Sequence, residues 1–256
     1  MYIFDMIVDV HAHLEHELFE KDLDLVIERA KEKGVNIIIT NGTSPSTNRV
    51  SLELSKKYDI VKCSMGLYPI DASETQEYDK NDVDDEINFI KKNSKYVFAI
   101  GEVGLDKKYG KDLELQKVIF EKMCSLAKDL QVPIIVHSRN AELECIELLE
   151  KNKMKKVIMH CFGGKKGLVK RILENKWCIS IPVNCVRSQH FQNIISLANI
   201  SQLLTETDAP YLGNDPEKRN EPSNITHTIK KISEIKGITE QEVEKLIYLN
   251  FQRLFL

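Results

Sequence analysis

Three polar residues at alternate positions near the N-terminus, Asp9, His11 and His13, have types and a spacing that suit metal binding. They form a D-x-H-x-H string at the end of an apolar run that starts at Met6. Side chains alternate between the two faces of a β-strand, so all three would point to one side if this run is a strand. Two imidazoles on one strand face can bind one divalent cation, and the carboxylate can orient a ring or bind in its own right. The alternative is a polar strand end with two surface histidines.

The apolar runs of the chain predict eight β-strands with helices between them. Their predicted bounds are Met6–His13, Val35–Gly42, Ile60–Pro69, Val97–Asp106, Val132–Arg139, Val157–Gly163, Trp177–Val183 and Leu203–Pro210. Continuous β-branched runs are typical of parallel strands that are buried on both faces. Eight strand–helix repeats in 256 residues favour an α/β fold, a (β/α)8 barrel of the TIM type, over a doubly wound sheet. We therefore predict one domain over residues 1–256.

Side chains that can bind metals follow the predicted strands at their carboxyl ends, which in such barrels form the mouth where chemistry takes place. They are His11 and His13 on strand 1, Glu102 on strand 4, His137 on strand 5, His160 on strand 6, and Glu206 and Asp208 on strand 8. Carboxylates after strongly apolar runs, such as Glu102 and Asp208, are costly to bury without cations. Four imidazoles and two carboxylates at one mouth suit two metal ions about 3.5–4 Å apart, with one carboxylate bridging. The other histidines, His16, His190 and His227, are interpreted as surface residues.

Composition and charge exclude several classes of protein. With 42% hydrophobic and 29% charged residues the chain has an ordinary globular composition. Its 36 basic and 39 acidic residues give a net charge of −3, so a polyanion would have to be held locally. Six cysteines without a C-x-x-C pair predict reduced, buried thiols in a cytoplasmic protein. No apolar run approaches the length of a membrane span and no signal-peptide pattern is present, so we expect no membrane partner.

Basic residues in the loops after the strands predict a cationic rim at the mouth. They are Lys107, Lys108, Lys111, Arg139, Lys165, Lys166, Arg187 and Arg219. Such a rim can bind a short polyanion, although exposed lysines are common and a merely solvated rim is the alternative. The glycine-rich segment 162–167 offers backbone N–H groups to a phosphate. A tight turn is the favoured interpretation there, because no Walker-type G-K-[ST] follows.

Taken together, the motifs resemble those of the TatD family, metal-dependent deoxyribonucleases within the wider amidohydrolase-like barrels. The motifs are D-x-H-x-H at 9–13, G-E-x-G-L-D at 101–106, H-S-R at 137–139, H-C-F-x-G at 160–164, E-T-D-A-P at 206–210 and R-N-E-P at 219–222. The first motif alone indicates only an amidohydrolase-like protein, but the combination is highly specific. The resemblance runs from about residue 5 to residue 256, in order and with no missing block.

The resemblance implies a hydrolase with two divalent ions, which we expect to be zinc, magnesium or manganese. It implies His11, His13, Glu102 and Asp208 around one ion, and Glu102, His137 and His160 around the other. We predict cleavage of DNA from single-stranded 3′ ends by a metal-activated water. Asp208 would bind metal and steer or deprotonate this water, Glu102 would bridge the ions, and Glu206 would orient a ligand or the water. No obligate protein partner is predicted.

One motif departs from the family pattern. The family has G-x-H-P after the third strand, whereas this chain has Gly66-Leu67-Tyr68-Pro69. Because that histidine faces the substrate phosphate in the family, Tyr68 is expected to bind substrate as a neutral O–H donor. The other predicted substrate-binding residues are Lys107, Lys108, Arg139, Lys165 and Arg219.

Two other functions fit the same residues. The two-metal site could hydrolyse an ester or amide, for example in D-aminoacyl-tRNA, an activity also attributed to relatives of the family. Alternatively, Tyr68 could mark a barrel that binds nucleic acid without cutting it. The presence of all six predicted metal ligands argues against this second alternative.

Overall fold

The eight predicted strands form one parallel sheet, and their order in space is their order in the sequence. A computed structural model of the chain describes residues 7–70 and 80–256. The strands are β1 Ile7–Ala12, β2 Val35–Asn41, β3 Val61–Met65, β4 Val97–Asp106, β5 Ile134–Arg139, β6 Val157–Met159, β7 Cys178–Ile181 and β8 Leu203–Thr205. Met6, which was predicted to begin the first strand, lies outside the described residues. The prediction of a (β/α)8 barrel of the TIM type is confirmed.

Helices cover the outside of the sheet. Within the described ranges they are α1 Leu23–Glu32, α2 Pro45–Lys57, α3 Lys80–Lys92, α4 Leu113–Leu130, α5 Glu142–Lys151, α6 Lys166–Glu174, α7 Gln189–Leu197, α8 Ile225–Lys236 and α9 Glu240–Phe255. Local sequence sets the boundary between the last two helices. Gly237 ends α8 in the left-handed conformation at φ 67°, and Thr239 and Glu242 form a capping box that starts α9.

Hydrogen bonds join β8 to β1 and also connect the residues that follow β8 to His11 and His13. The Thr205 hydroxyl donates to the Val8 carbonyl at 2.6 Å. Beyond the strands, the backbone N–H of Asp208 donates to the His11 carbonyl at 2.8 Å, and that of His13 donates to the Ala209 carbonyl at 2.7 Å. The two segments that carry the first and last motifs are therefore bonded directly to each other.

Several strands end earlier than predicted, and the sixth shows why. It was predicted over Val157–Gly163 but ends at Met159, because the chain turns sharply at Cys161, whose φ is 41°. Asp208 has a φ of 55° after the equally short β8. The backbone thus leaves the sheet next to two of the predicted ligands, His160 and Asp208.

Two smaller expectations concern thiols and membranes. All six cysteines are free, and five of them are buried, Cys161 being partly exposed. In the described part of the chain, no helix has the length and apolar character needed to cross a membrane.

Candidate metal centre

Four of the predicted ligands bring one atom each to a common point. The Nε2 atoms of His11 and His13 lie 3.2 Å apart. Oε2 of Glu102 lies 3.4 Å from each of these nitrogens, and Oδ1 of Asp208 lies 3.5 Å from each. The two imidazoles and Glu102 are buried, and 13% of the Asp208 side chain is exposed.

These spacings fit a bound cation. Four tetrahedral ligands at about 2.0–2.1 Å from an ion are separated from one another by about 3.3–3.4 Å. The five separations in this structure range from 3.2 to 3.5 Å, on either side of this value. Nitrogen and oxygen donors in a two-histidine, two-carboxylate set are also those that zinc and related divalent ions accept.

A second group of ligands shares Glu102 with the first. Nδ1 of His137 lies 2.9 Å from Oε1 of Glu102, the oxygen that does not face His11 and His13. Donor atoms of Glu102, His137 and His160 all lie within 4.8 Å of one another. The two oxygens of one carboxylate are thus divided between two histidine clusters, which is the arrangement expected of a bridging ligand.

The histidines of the cluster stabilise the ionised form of its carboxylates. Burial raises the pKa of Glu102, but hydrogen bonds with His11, His13 and His137 outweigh burial and hold this pKa well below its usual range. Burial likewise raises the pKa of Asp208, yet His160 and His13 lower it overall. Burial lowers the pKa of His13, but Asp208, Glu102 and Glu15 outweigh burial and raise this pKa well above its usual range. Divalent cations between these groups would supply the positive charge that protons supply without them.

The His160 ring is held by Glu206. Its Nδ1 lies 2.8 Å from Oε2 of Glu206, an oxygen that also accepts a 2.5 Å bond from the Ser180 hydroxyl. The other oxygen accepts the backbone N–H of Cys161 at 3.0 Å. Burial lowers the pKa of His160, but Glu206 and Asp208 outweigh burial and raise it to about 9. Both oxygens of Glu206 are therefore engaged, which favours ring orientation over the alternative role of orienting a water.

Glu15 holds the His13 ring and was missed at the sequence level. Nδ1 of His13 lies 3.0 Å from Oε1 of Glu15 and 2.9 Å from the Asn41 carbonyl. The Thr40 hydroxyl donates to the other Glu15 oxygen at 2.6 Å. Glu15 lies two residues beyond the motif among other acids, and no spacing distinguishes it from a solvated glutamate.

Asp106 performs the same task for His137. Its Oδ2 lies 3.1 Å from Nε2 of His137 and accepts a 3.2 Å hydrogen bond from the Tyr68 hydroxyl. Its Oδ1 accepts the backbone N–H groups of Lys108 and Tyr109. Burial raises the pKa of Asp106, but His137 and these N–H groups outweigh it and lower the pKa to about 2. The position at a strand end was noted in the sequence, but the partner could be identified only from the fold.

Tyr68 and Asp9 both form hydrogen bonds within the protein. The Tyr68 hydroxyl is occupied by Asp106, and its ring packs edge-to-face on His137 with the ring centres 4.9 Å apart. Asp9 contacts no imidazole ring: its carboxylate accepts the hydroxyl of Thr207 at 2.5 Å and the backbone N–H groups of Thr207 and His11. It therefore ties the 206–208 segment to β1, and the expectation that it orients or joins the ligands is not met.

A cavity of about 880 Å³ opens above the ligands. Of the predicted substrate-binding residues, Tyr68, Lys108 and Arg139 line it. Lys107 instead pairs with Glu144, and Arg219 forms 2.6–2.7 Å hydrogen bonds with Asp22, so both are engaged elsewhere. Lys165 does not line the cavity and precedes α6.

His16, predicted to be a surface residue, is partly exposed and lines this cavity beside Tyr211. His190 is half-buried rather than exposed, and its Nε2 lies 2.9 Å from the Phe162 carbonyl.

Comparisons with known proteins find one family and several relatives that match nearly the whole chain. The family described as TatD related DNase matches residues 8–256. A Methanocaldococcus jannaschii protein, described as an uncharacterized metal-dependent hydrolase, is 37% identical over 97% of this chain and 96% of its own length. Human deoxyribonuclease TATDN3 is 30% identical over 97% of this chain and 94% of its own. A 3′-5′ ssDNA/RNA exonuclease TatD from Erwinia tasmaniensis is 30% identical over 96% and 98%.

The fold has a counterpart among solved structures. The crystal structure of a hydrolase TatD family protein from Entamoeba histolytica superposes with a TM-score of 0.89 and covers 98% of both chains. At 24% identity it supports the fold alone.

Proposed function

The chain belongs to the TatD family, and on that basis we propose that it is a metal-dependent deoxyribonuclease that removes nucleotides from the 3′ ends of single-stranded DNA. The observation that carries this proposal is the division of the two Glu102 oxygens between two histidine clusters at the barrel mouth. The human relative is named a deoxyribonuclease, and the Erwinia relative a 3′-5′ exonuclease of single-stranded DNA and RNA. Residues 1–256 would form one catalytic domain.

We propose two metal sites. His11, His13, Glu102 and Asp208 would hold one ion, for which the tetrahedral spacing favours zinc, and Glu102, His137 and His160 would hold the other. Magnesium and manganese are the other candidates. When bound, such ions stabilise negative charge on phosphoryl oxygens and make a water molecule more acidic.

The protein groups around these ligands would fix geometry and handle the proton. Glu15, Asp106 and Glu206 would each hold one histidine ring by the nitrogen that faces away from the ligand cluster, which also sets the tautomer. Asp208 is the least buried of the carboxylates in the cluster and lines the cavity. We propose that it would orient the attacking water and accept its proton.

We propose that Lys108 and Arg139 would bind substrate phosphates. Both line the cavity. Nearly half of the Arg139 side chain is exposed, and its Nη1 forms only a long ion pair, 3.8 Å, with Oδ2 of Asp106. Because the molecule carries a net charge of −3, these local cations must offset the repulsion of a polyanion by the acidic centre. Tyr68 would act through Asp106 and His137 rather than on the phosphate itself.

The relatives described above give no support to the ester or amide hydrolase or to the non-catalytic barrel. Parallel assays test the choice directly: single-stranded DNA labelled at its 5′ end, the same DNA labelled at its 3′ end, and D-aminoacyl-tRNA, each with wild type and with Asp208→Asn. We expect a ladder of shortened 5′-labelled products with wild type only, and no deacylation. Deacylation without DNA cleavage would overturn the proposal.

A further inference from the structure

An exposed aromatic ring stands beside the candidate metal centre. Tyr211 lines the cavity and is 51% exposed. Its ring centre lies 6.2 Å from that of His13, a proposed ligand, and 5.6 Å from that of His16. The interplanar angles are 66° and 88°, so neither imidazole stacks in parallel on the tyrosine.

The backbone beneath this ring is firmly held. The Tyr211 N–H donates to the Asp208 carbonyl at 2.7 Å. The side-chain amide of buried Asn220 donates to the carbonyls of Tyr211 and Thr207, at 2.7 and 2.8 Å. The backbone that carries the ring is thus fixed relative to Asp208, and half of the Tyr211 residue is exposed. A tyrosine on such a backbone has only two side-chain torsions to order when a planar group binds to it.

The cations of the cavity lie on its other side. Arg139 ends β5, and eight strands in sequential order place β5 across the barrel from β1, which carries His11 and leads to His13. The Arg139 guanidinium and the Lys108 ammonium both lie over the ring of Tyr109, at 5.5 and 4.9 Å. A substrate that spans the cavity would therefore meet an aromatic surface at one wall and positive charge at the other, with the metal centre between them.

We propose that Tyr211 stacks on the base of a nucleotide next to the scissile phosphate, while Arg139 and Lys108 bind the adjoining backbone phosphate. This inference rests on the proposed function and specifies how the substrate is held. Base–aromatic stacking tolerates any base, so it suits an enzyme that removes nucleotides regardless of sequence. It also needs a base that is free of its neighbours, which favours single-stranded ends over duplex DNA.

The test pairs enzyme variants with substrates that lack one base. Tyr211→Ala and Tyr211→Phe are assayed on single-stranded DNA with a normal end, with an abasic terminal nucleotide, and with an abasic penultimate nucleotide. We expect Tyr211→Ala to lower kcat/KM on normal DNA by about 5- to 150-fold, the range that stacking of about 1–3 kcal/mol corresponds to. The loss should nearly disappear on one of the two abasic substrates, and Tyr211→Phe should behave like wild type.

Tyr109→Ala provides a matched control, because Tyr109 is equally exposed but lies under the cations. Tyr109→Ala should lower kcat/KM by the same factor on all three substrates. An equal loss for Tyr211→Ala on all three substrates would overturn the stacking proposal and leave the nuclease assignment intact. Failure of wild type to cut any of them would refute the proposed function, and the inference with it. Thermal unfolding of each variant checks that the barrel is folded.

Discussion

Replacing Glu206 with glutamine tests whether this carboxylate orients His160 or acts on the reacting water. Glu206 is fully buried and accepts hydrogen bonds from His160, Ser180 and the backbone N–H of Cys161. Glutamine has nearly the same shape but offers one acceptor oxygen in place of two, and its amide group would face a donor. The substitution therefore weakens the hold on the His160 ring and leaves all six proposed metal ligands unchanged. Glu206 also has an oxygen within 4.8 Å of nitrogens of His11 and His160.

The expected loss follows from the bond to His160. A hydrogen bond to a charged group contributes about 1.5–3 kcal/mol. Loss of a residue that orients a metal ligand weakens metal binding by about 10- to 100-fold, which corresponds to about 1.4–2.7 kcal/mol. The two ranges agree, so we expect metal affinity in Glu206→Gln to fall by about one to two orders of magnitude.

The assay is a metal titration of chelator-treated protein, followed by calorimetry and by cleavage of labelled single-stranded DNA. Activity in Glu206→Gln should require more metal and return toward the wild-type rate at high metal concentration. Glu142→Gln is the control, because Glu142 also lines the cavity but belongs to none of the candidate metal-binding groups in the described residues. Unchanged metal affinity combined with a rate that excess metal does not restore would refute the orienting role.

Three further predictions concern other parts of the network. Asp208→Asn should retain DNA binding but lose turnover by about a hundredfold or more, since charge at the attacking water changes more than shape; loss of binding with normal turnover of bound substrate would contradict this. Tyr68→Phe should lower kcat/KM by only about 2- to 12-fold, because Asp106 keeps its other donors when one hydrogen bond of about 0.5–1.5 kcal/mol is removed. A loss far beyond this range would indicate that Tyr68 contacts the substrate phosphate directly. Burial raises the pKa of Glu221, but Arg29 outweighs it and lowers this pKa, so the stabilisation is present above about pH 4.3 and is lost as pH falls through the lower folded value. Thermal unfolding should therefore show a difference between Glu221→Gln and wild type at pH 7 that becomes smaller as the pH falls below about 4.3, whereas a difference that does not change with pH would exclude the ion pair as its cause.

The barrel and its ligand cluster could be predicted from the sequence because both depend on local patterns. Buried parallel strands are continuous β-branched runs, and His11, Glu102, His137 and His160 lie at or just beyond the ends of such runs. Since strand ends meet at one mouth, their convergence followed from the fold class alone.

The groups that orient the ligands were harder to predict from the sequence, because each is defined by a contact between distant segments. Asp106 was visible as a strand-end carboxylate, but its pairing with His137 needs the register between β4 and β5. Glu15 has no pattern that distinguishes it from a surface acid. Lys107 and Lys108 are adjacent in sequence, yet only Lys108 lines the cavity while its neighbour pairs with Glu144. Sequence spacing alone does not show which of two adjacent loop residues faces a cavity.

The most direct test of the account is the metal content and activity of Glu102→Gln beside wild type. Chelated protein is titrated with zinc or manganese while bound metal is counted by mass spectrometry and cleavage of end-labelled single-stranded DNA is measured. We predict two bound ions per wild-type chain. In Glu102→Gln we predict lower affinity for both ions and activity below about a hundredth of wild type, although the barrel remains folded. Near-wild-type activity with both ions retained in Glu102→Gln, or no bound metal in an active wild-type protein, would contradict the bridged two-metal centre.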